Sequence, residues 1–194
     1  MSKETPLDYS IHPLIESRWS PRAFRSDVID DRLIKQCLEA ARWAASCSNE
    51  QPWHFIIASR KDEGLFQKAL DCLEEGNRVW VQSAGALIFG VTRSFFYRHQ
   101  KPNPYAAYDL GQAVANFTLQ ATHLGLQSHQ MAGFFGDQCR AAFNIPEEYH
   151  PKVAIALGYP GHLDQLSDKL RQREESPRTR FSQDEFSYWG SWPN

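Results

Sequence analysis

Two arginines and a serine alternate near the start of the chain, at Arg18, Ser20 and Arg22. In an extended segment, side chains two positions apart point to the same side, so these three groups would face one ligand together. Guanidinium groups bind phosphate and carboxylate oxygens through parallel hydrogen bonds, and a hydroxyl adds a further donor. The pattern therefore predicts a site for a phosphate or another anionic group. A solvated, charged loop is the alternative interpretation, and this short motif alone leaves it open.

A second polar segment, Ser-Cys-Ser-Asn-Glu-Gln-Pro-Trp, occupies residues 46–53. The side-chain amides of Asn49 and Gln51 each offer both a donor and an acceptor, which suits the edge of a heterocycle. Polar loops between buried elements are common places for ligand contacts. The same residue types also favour turns in which side chains bond their own backbone. The segment is therefore either a ligand loop or a structural turn.

The other residues with ligating or nucleophilic potential are scattered. The four cysteines are Cys37, Cys47, Cys72 and Cys139, with no CxxC pair among them. The seven histidines include no pair with the spacing of a zinc site. Neither GxGxxG nor GxxxxGK[ST] occurs, which disfavours a Rossmann fingerprint and a P-loop. We therefore expect reduced thiols and no metal site.

Helical periodicities and short apolar runs alternate along the chain. Strands are predicted at residues 53–58, 84–91, 126–130 and 153–157. Helices are predicted from Asp30 to residue 41, from Asp62 to a stop at Gly76, over residues 109–124 and over residues 137–143. This interleaving of helices and buried strands indicates an α+β or α/β domain.

The helix predicted at residues 109–124 has two distinct faces. One stripe consists of apolar residues: Leu110, Ala113, Val114, Phe117, Ala121 and Leu124. A second stripe consists of small residues: Gly111, Ala115, Thr118 and Thr122. Because almost no charge follows Asp109, we expect this helix to be buried nearly all round. The small residues would let another helix approach closely, from the same chain or from a second copy of it.

Composition and charge exclude several function classes. The chain has 194 residues, 42 % of them hydrophobic, which suits one domain with a substantial core. Its formal net charge of −2 argues against nucleic acid as the main partner. The longest strongly apolar run, residues 84–91, is far shorter than a membrane span, and residues 1–10 lack the apolar core of a signal peptide. We expect a soluble, cytoplasmic protein without a membrane partner.

Taken in order, these segments resemble the FMN-dependent nitroreductase family. Residues 18–24 (RWSPRAF) are similar to its opening Arg-x-Ser-x-Arg/Lys-x-Phe element. Residues 40–53 (AARWAASCSNEQPW) are similar to its Ala-rich helix end followed by Ser-x-x-Asn-x-Gln-Pro-Trp. Residues 109–126 resemble its long central helix, residues 158–160 (GYP) its late Gly-Tyr-Pro turn, and residues 178–181 (RTRF) its basic C-terminal segment. The resemblance covers nearly the whole chain.

The resemblance implies which residues hold the phosphate end of FMN. Arg18 and Ser20 would bind the phosphate and the ribityl tail, joined by Arg178 and Arg180 from the far end of the chain. Several arginines suit a phosphate monoester, which carries about −1.5 to −2 charges near neutral pH. Arg22 would approach the pyrimidine side of the isoalloxazine, where positive charge stabilises the anionic reduced flavin.

The resemblance also implies contacts to the isoalloxazine ring. Asn49 would hydrogen-bond the ring edge, and Gln51 would support its loop. The segment that passes the ring would consist of Gln130, Met131, Ala132 and Gly133. The sequence departs from the family at Trp19, where a second basic residue is common.

The fold and reaction that the resemblance implies can be stated in the same terms. We expect one domain over residues 1–194, an α+β sandwich with a central mixed, mainly antiparallel sheet flanked by helices. It would form an intertwined homodimer with FMN at the subunit interface. FMN N5 would accept a hydride from NADH or NADPH and pass it, in ping-pong order, to a small organic acceptor such as a nitroaromatic, a quinone or an enone. The cofactor carries this chemistry, so no side chain is expected to act as a catalytic acid or base.

Two alternatives to this function remain at the level of sequence. The same fold and flavin could serve another reaction: reductive dehalogenation, flavin fragmentation or azoline oxidation. A non-catalytic dimer that binds flavin or a partner is the other alternative. Aromatic residues that could shape an acceptor pocket, or equally pack in the core, are Phe95, Phe96, Tyr97, Tyr105, Phe134 and Phe135.

Overall fold

The computed structural model describes residues 3–193. Its helices are α1 (Pro13–Ser17), α2 (Asp31–Arg42), α3 (Glu63–Leu70), α4 (Glu75–Val81), α5 (Ala106–His123), α6 (Gly136–Phe143) and α7 (Asp168–Glu175). Its strands are β1 (Trp53–Ser59), β2 (Ala86–Arg93), β3 (Gln127–Met131) and β4 (Tyr149–Gly158). The four predicted strands and the helices predicted near α2, α3, α5 and α6 are thereby confirmed, with shifted ends.

The strands form one sheet in the order β1-β2-β4-β3, and every pairing between these four strands is antiparallel. The register places Ile57 opposite Ile88, and Ile88 opposite Ile155. All eight residues of β2 are buried. This burial follows because β2 is an interior strand with packed side chains on both faces of the sheet. The α+β class with a mainly antiparallel sheet is confirmed.

Two hydrophobic cores lie on the two faces of the sheet. Because successive side chains of a strand point to opposite faces, Ile88 enters the core formed with α2 and α5. Its neighbours Leu87 and Phe89 enter the core formed with α3, α4 and α6. The sheet is therefore the middle layer of a three-layer sandwich.

Helix starts follow the predicted capping residues. The Asp30 carboxylate accepts a hydrogen bond from the Arg32 backbone N–H at 2.9 Å, and the Asp62 carboxylate accepts one from the Leu65 N–H at 2.9 Å. Each carboxylate satisfies an amide that has no partner within its own helix.

The predicted helix stop at Gly76 is wrong. The helix ends at Leu70, and Gly76 lies inside the first turn of the next helix, α4. Between the two helices, Leu73 forms a β-bridge with Phe134, and the Glu74 N–H donates to the carbonyl of Gly133 at 3.2 Å. The break is therefore made by a segment some 60 residues further along the chain, which helical periodicity cannot reveal.

The prediction that the long central helix is buried nearly all round is also wrong for the single chain. Its large apolar residues are buried against the sheet and α2, as expected. Gly111 and Ala115, however, are exposed, and a Cβ added at Gly111 would meet no atom within 4 Å. The part of the small-residue stripe nearest the start of α5 is therefore an open surface.

Candidate functional site

A cationic cavity forms where the two ends of the chain meet. Residues 18–22 follow α1, and residues 173–180 form the end of α7 and the segment after it. Together with Lys3 they line a cavity of about 240 Å³. The cationic side chains in its wall are Lys3, Arg18, Arg22, Arg173, Arg178 and Arg180. Ser20 adds its hydroxyl, and Glu174 is the one acidic residue among the described residues that line this cavity.

Electrostatic repulsion inside this cavity is visible at Arg18. Burial, followed by the nearby charges of Arg178 and Arg180, lowers the pKa of Arg18. Arginine stays protonated in proteins, so the guanidiniums of Arg18, Arg178 and Arg180 repel one another. An anion placed between them would remove this repulsion. The Arg18 Nη1 already donates to the Ser20 hydroxyl at 3.3 Å, which holds both groups on one wall.

The guanidinium of Arg178 has a structural role. It donates to the hydroxyl of Thr5, to the carbonyl of Glu16 at 2.6 Å and to the carbonyl of Arg18 at 3.0 Å. Three of its five N–H donors are thus used within the chain. Arg178 joins the N-terminal and C-terminal segments and leaves Arg18, Ser20 and Arg180 as the more available donors for a ligand.

Three hydrogen bonds fix residues 21–25, the segment that includes Arg22 and follows Arg18 and Ser20. The N–H of Gly161 donates to the carbonyl of Ala23 at 2.8 Å, and the N–H of Arg25 donates to the carbonyl of Tyr159 at 3.0 Å. The His129 ring contacts the Pro21 carbonyl at 2.9 Å through Nδ1. Residues 21–25 are therefore attached to β3 and to the end of β4, which are parts of the rigid sheet.

The 46–51 loop is strained and lies at the start of α5. Ser48, Asn49 and Gln51 have φ values of 53°, 57° and 50°, a conformation that few side chains other than asparagine adopt readily. The buried carboxylate of Asp109 accepts from the Cys47 N–H at 3.1 Å, and this contact ties the loop to the helix. Such outliers cluster at ligand sites more often than elsewhere.

The structure does not bring this loop to the cationic cavity of the same chain. Neither Asn49 nor Gln51 is among the residues that line it. The Gln51 side chain instead donates to the Asn49 carbonyl at 3.2 Å, a contact within the loop. Asn49 and Gln51 therefore lie apart from the predicted arginines within the single chain.

The segment from Gln130 to Gly133 follows His129 at the end of β3. The Gln130 amide donates to the Thr118 hydroxyl at 3.4 Å, and Met131 is buried in the core. Ala132 is exposed, and the carbonyl of Gly133 accepts from the Asn77 side chain at 3.0 Å. Because Met131 points into the core, only its backbone is available to a ligand on the outer side.

Three charged residues that line the cavity were not predicted as site residues: Lys3, Arg173 and Glu174. The ammonium group of Lys3 lies 5.0 Å from the ring centroid of Trp19, the position at which the family often has a basic residue. A lysine distant in sequence thus supplies a charge next to Trp19. The cluster of arginines at residues 171–180 was the available sequence signal for Arg173, whereas the approach of Lys3 and the burial of Glu174 depend on tertiary packing.

The aromatic loop after β2 packs against the 46–51 loop. The buried Glu50 carboxylate accepts from the Tyr97 N–H at 2.6 Å, and the Tyr97 hydroxyl lies 3.1 Å from the His54 ring. The Arg93 guanidinium lies 4.1 Å from the centroid of the Tyr97 ring. Tyr97 is therefore held at Glu50, the neighbour of Asn49 in the chain, and is exposed rather than packed in the centre of the protein.

The described residues, 3–193, contain no cluster of three or more histidine, cysteine or acidic residues that would suit a metal ion. In the same stretch of chain, none of the helices combines the length and the apolar character needed to cross a bilayer.

Comparisons with known proteins agree on one family. Residues 15–159 match the model of the nitroreductase family. A solved structure of an oxidoreductase containing FMN is 31 % identical, with a TM-score of 0.94, and the match covers 100 % of this chain and 98 % of that one. A protein of Archaeoglobus fulgidus, with the provisional name NADH dehydrogenase/NAD(P)H nitroreductase, is 28 % identical over 151 residues, 76 % of this chain and 83 % of that protein.

A shorter match involves an uncharacterised 15.4 kDa protein of Mycolicibacterium smegmatis. It is 36 % identical over 90 residues, which are 46 % of this chain and 60 % of that protein. This chain therefore spans less than two thirds of that relative.

Proposed function

The chain belongs to the nitroreductase family, and from that premise we propose that it is an FMN-dependent oxidoreductase that uses NADH or NADPH to reduce a small organic acceptor. The family resemblance predicted from the sequence is confirmed by the family match over residues 15–159. The FMN named for the 31 % identical structure and the NAD(P)H named for the Archaeoglobus relative support the choice of cofactor and donor.

The observation that carries this proposal is the convergence of cations from both ends of the chain. Arg18 and Arg180 are 162 positions apart in sequence and line one cavity with Ser20. Their donors fit a phosphate monoester, whose charge is about −1.5 to −2. That charge would offset the repulsion from Arg178 and Arg180, which together with burial, the larger cause, lowers the pKa of Arg18. Lys3 would add a further contact at the rim.

We assign the remaining predicted residues by their contacts and by the family resemblance. Arg178 would position Arg18 through its contact with the Arg18 carbonyl. Arg22 would lie beside the pyrimidine ring of the flavin, and Gln130, Met131, Ala132 and Gly133 would pass the ring through backbone groups. Bound FMN would supply the capacity to accept and donate a hydride, so the protein's own groups bind and orient it.

The 46–51 loop would come from a second copy of the chain. Its strained backbone indicates a ligand contact, yet Asn49 does not line the cationic cavity of its own chain. The exposed Gly111 and Ala115 lie on the same helix as Asp109, which holds the loop. A homodimer that packs these open faces together would place the loop of one chain near the cavity of the other. Each chain would be a single domain, because both cores share one sheet.

Electron donor and acceptor would bind in turn at the same face of the flavin. The aromatic residues 95–97 lie beside the Asn49 loop, where they would contact a planar acceptor such as a nitroaromatic, a quinone or an enone. Alternating occupancy of one surface gives ping-pong kinetics. Initial rates measured over a grid of NADPH and quinone concentrations would then yield parallel double-reciprocal lines, whereas intersecting lines would contradict shared occupancy.

Absorbance spectroscopy of the purified protein tests the proposal directly. We expect a flavin spectrum, either as purified or after addition of FMN, that bleaches when NADH or NADPH is added without oxygen. A protein that takes up no FMN would refute the proposal. A protein that binds FMN but is not bleached by either nucleotide would retain the binding site and lose the reductase activity.

Variants of the cavity test the assignment of the phosphate site. We expect Arg18→Ala and Arg180→Ala each to weaken FMN binding by roughly tenfold or more, because each removes a charge-assisted hydrogen bond. Arg32→Ala, which removes an exposed arginine on α2, is the matched control and should leave the affinity unchanged. Equal FMN affinity in all three variants, measured by fluorescence titration, would contradict the assignment.

A further inference from the structure

Glu174 is a buried carboxylate on an otherwise polar surface helix. It is the only buried residue of α7, with 2 % of its surface exposed. Acidic side chains are rarely buried to this extent unless they are paired. The position of Glu174 in the wall of the cationic cavity therefore calls for a physical reason.

The contacts of Glu174 point to Arg22. Its Oε1 accepts from the backbone N–H of Arg22 at 2.9 Å, and the Ala23 N–H approaches the same oxygen at 3.5 Å. Its Oε2 lies 3.7 Å from Nη1 of Arg22 and has no hydrogen-bond partner in the described residues. One carboxylate thus fixes the backbone of Arg22 and faces its guanidinium.

The two side chains differ in their access to the cavity. The Arg22 side chain retains 26 % of its exposure, whereas that of Glu174 retains 1 %. A ligand in the cavity would therefore meet the guanidinium, with the carboxylate behind it. Since six cations and one acid line the cavity, Glu174 is the group that limits its positive charge on this wall.

We propose that Glu174 is a positioning residue for the flavin: it holds the Arg22 guanidinium in place and reduces the positive charge that acts on the bound ring. This inference rests on the proposed function, because it takes FMN as the ligand beside Arg22. Reduction of flavin to its anionic form adds negative charge, so the charge balance of this pair sets part of the reduction potential.

The variant Glu174→Gln tests the negative charge of Glu174 separately from its hydrogen bond to the Arg22 backbone. Glutamine keeps the oxygen that accepts from the Arg22 backbone and removes the negative charge behind the guanidinium. We expect the variant to favour reduced over oxidised FMN by roughly tenfold more than the wild type does, which corresponds to a rise of about 30 mV in a two-electron potential. Oxidised FMN should bind with equal or higher affinity. A purely structural role predicts weaker binding of both forms.

A second pair of variants tests whether Glu174 acts through Arg22. In Arg22→Gln, the guanidinium that Glu174 faces at 3.7 Å is absent, so the carboxylate has no Arg22 guanidinium to position. Adding Glu174→Gln to the Arg22→Gln variant should then shift the reduction potential by less than about a third of the shift that Glu174→Gln causes in the wild type. Such a reduced effect is expected for two coupled residues. An equal shift in both backgrounds would contradict the pairing.

Glu175→Gln is the matched control, because Glu175 is the next residue of the same helix and is exposed. The potential of each FMN-loaded variant is measured by anaerobic equilibration with a reference dye, and folding is checked by circular dichroism. Glu174→Asp retracts the charge without removing it and should give a smaller rise; it carries the test if Glu174→Gln does not fold.

The outcomes separate this inference from the proposed function. If the wild type binds FMN and Glu174→Gln has the potential of Glu175→Gln, the inference fails and the proposed function stands. If the wild type takes up no FMN, both fail. A rise confined to Glu174→Gln and, to a lesser extent, Glu174→Asp supports the inference.

Discussion

His129 connects the sheet to the segment that carries the arginines. Its Nδ1 lies 2.9 Å from the carbonyl of Pro21, and its ring packs 4.6 Å from the centroid of Trp80. A carbonyl oxygen can only accept, so Nδ1 carries the proton in this contact. Burial, with a contribution from the charge of Arg22, lowers the pKa of His129 to about 4. The imidazole is therefore neutral in the folded protein at neutral pH.

The lowered pKa of His129 predicts a loss of stability in mild acid. A histidine in the unfolded chain titrates near 6.5, so below that pH the unfolded state binds a proton that the folded state excludes until about pH 4. Stability should therefore fall between about pH 6.5 and 4, by about 2 kcal/mol of unfolding free energy from pH 7 to pH 5.

Urea unfolding of His129→Gln at the two pH values measures this contribution. The difference in unfolding free energy between pH 7 and pH 5 should shrink by about 2 kcal/mol relative to the wild type. His123→Asn, which removes an exposed histidine, is the control and should keep the wild-type difference. A variant at His129 that retains the full difference would show that other groups cause the acid sensitivity.

At the scale of single residues, the sequence predicted where the arginines come together better than it predicted which groups each arginine hydrogen-bonds. Alternation at residues 18–22 and the family resemblance were sufficient to bring Arg18 and Arg180 together. The hydrogen bonds that occupy Arg178 depend on Thr5 and on two backbone carbonyls, whose positions are set by the packing of both chain ends. No local pattern contains that information.

At the scale of elements, the turn after β4 controls the position of the arginine segment. A Cβ built on Gly161 would lie 2.7 Å from the carbonyl carbon and 2.9 Å from the nitrogen of Phe24. Both are backbone atoms, so the neighbouring segment could not avoid the methyl group by a side-chain rotation. Glycine at this position permits the hydrogen bond from Gly161 to Ala23.

Gly161→Ala should therefore displace the segment that carries Arg18 and Arg22. We expect a lower melting temperature together with weaker FMN binding, because the clash moves the backbone that presents these side chains. Gly76→Ala is the matched control: its Cβ would meet no atom within 4 Å in α4, so we expect a gain of about 0.5–1 kcal/mol and unchanged FMN affinity. Wild-type affinity and stability in Gly161→Ala would contradict the role of the turn.

Helix starts could be predicted from the sequence, whereas the break between α3 and α4 could not. Capping by Asp30 and Asp62 is local, and both helices start where the sequence places them. The break between α3 and α4 is non-local, because Phe134 and Gly133 pair with the connecting segment. An isolated glycine was therefore a misleading signal for the helix end.

At the scale of the whole molecule, two groups of predicted flavin contacts lie apart in the single chain. One group lines the cationic cavity, and the other is the strained loop that carries Asn49. The small residues Gly111 and Ala115 remain open on α5. The sequence predicted a helix that another helix could approach, but it left open whether that helix belongs to the same chain. The exposed Gly111 and Ala115 favour a helix from a second copy of the chain as the one that packs here.

Subunit exchange can test whether each site combines two chains. Arg18→Ala would damage the cavity of its own chain, and Asn49→Gly would damage the loop; glycine is chosen because it adopts the positive φ of Asn49 without strain. Each homodimer then has two defective sites. A mixed dimer has one site with both defects and one site with none, so equal mixing with random exchange should restore tight FMN binding to about a quarter of all sites.

Mixing Arg18→Ala with Arg180→Ala is the matched control. Both residues line the same cavity, so every site of that mixed dimer keeps one defect and no tight binding should return. Recovery is measured as the amplitude of the high-affinity phase in an FMN titration after exchange. If the Asn49 loop served the cavity of its own chain, the first mixture would also recover nothing, since each chain would carry its own defect. Recovery in the first mixture alone is therefore the specific result expected of a flavin site built between two chains.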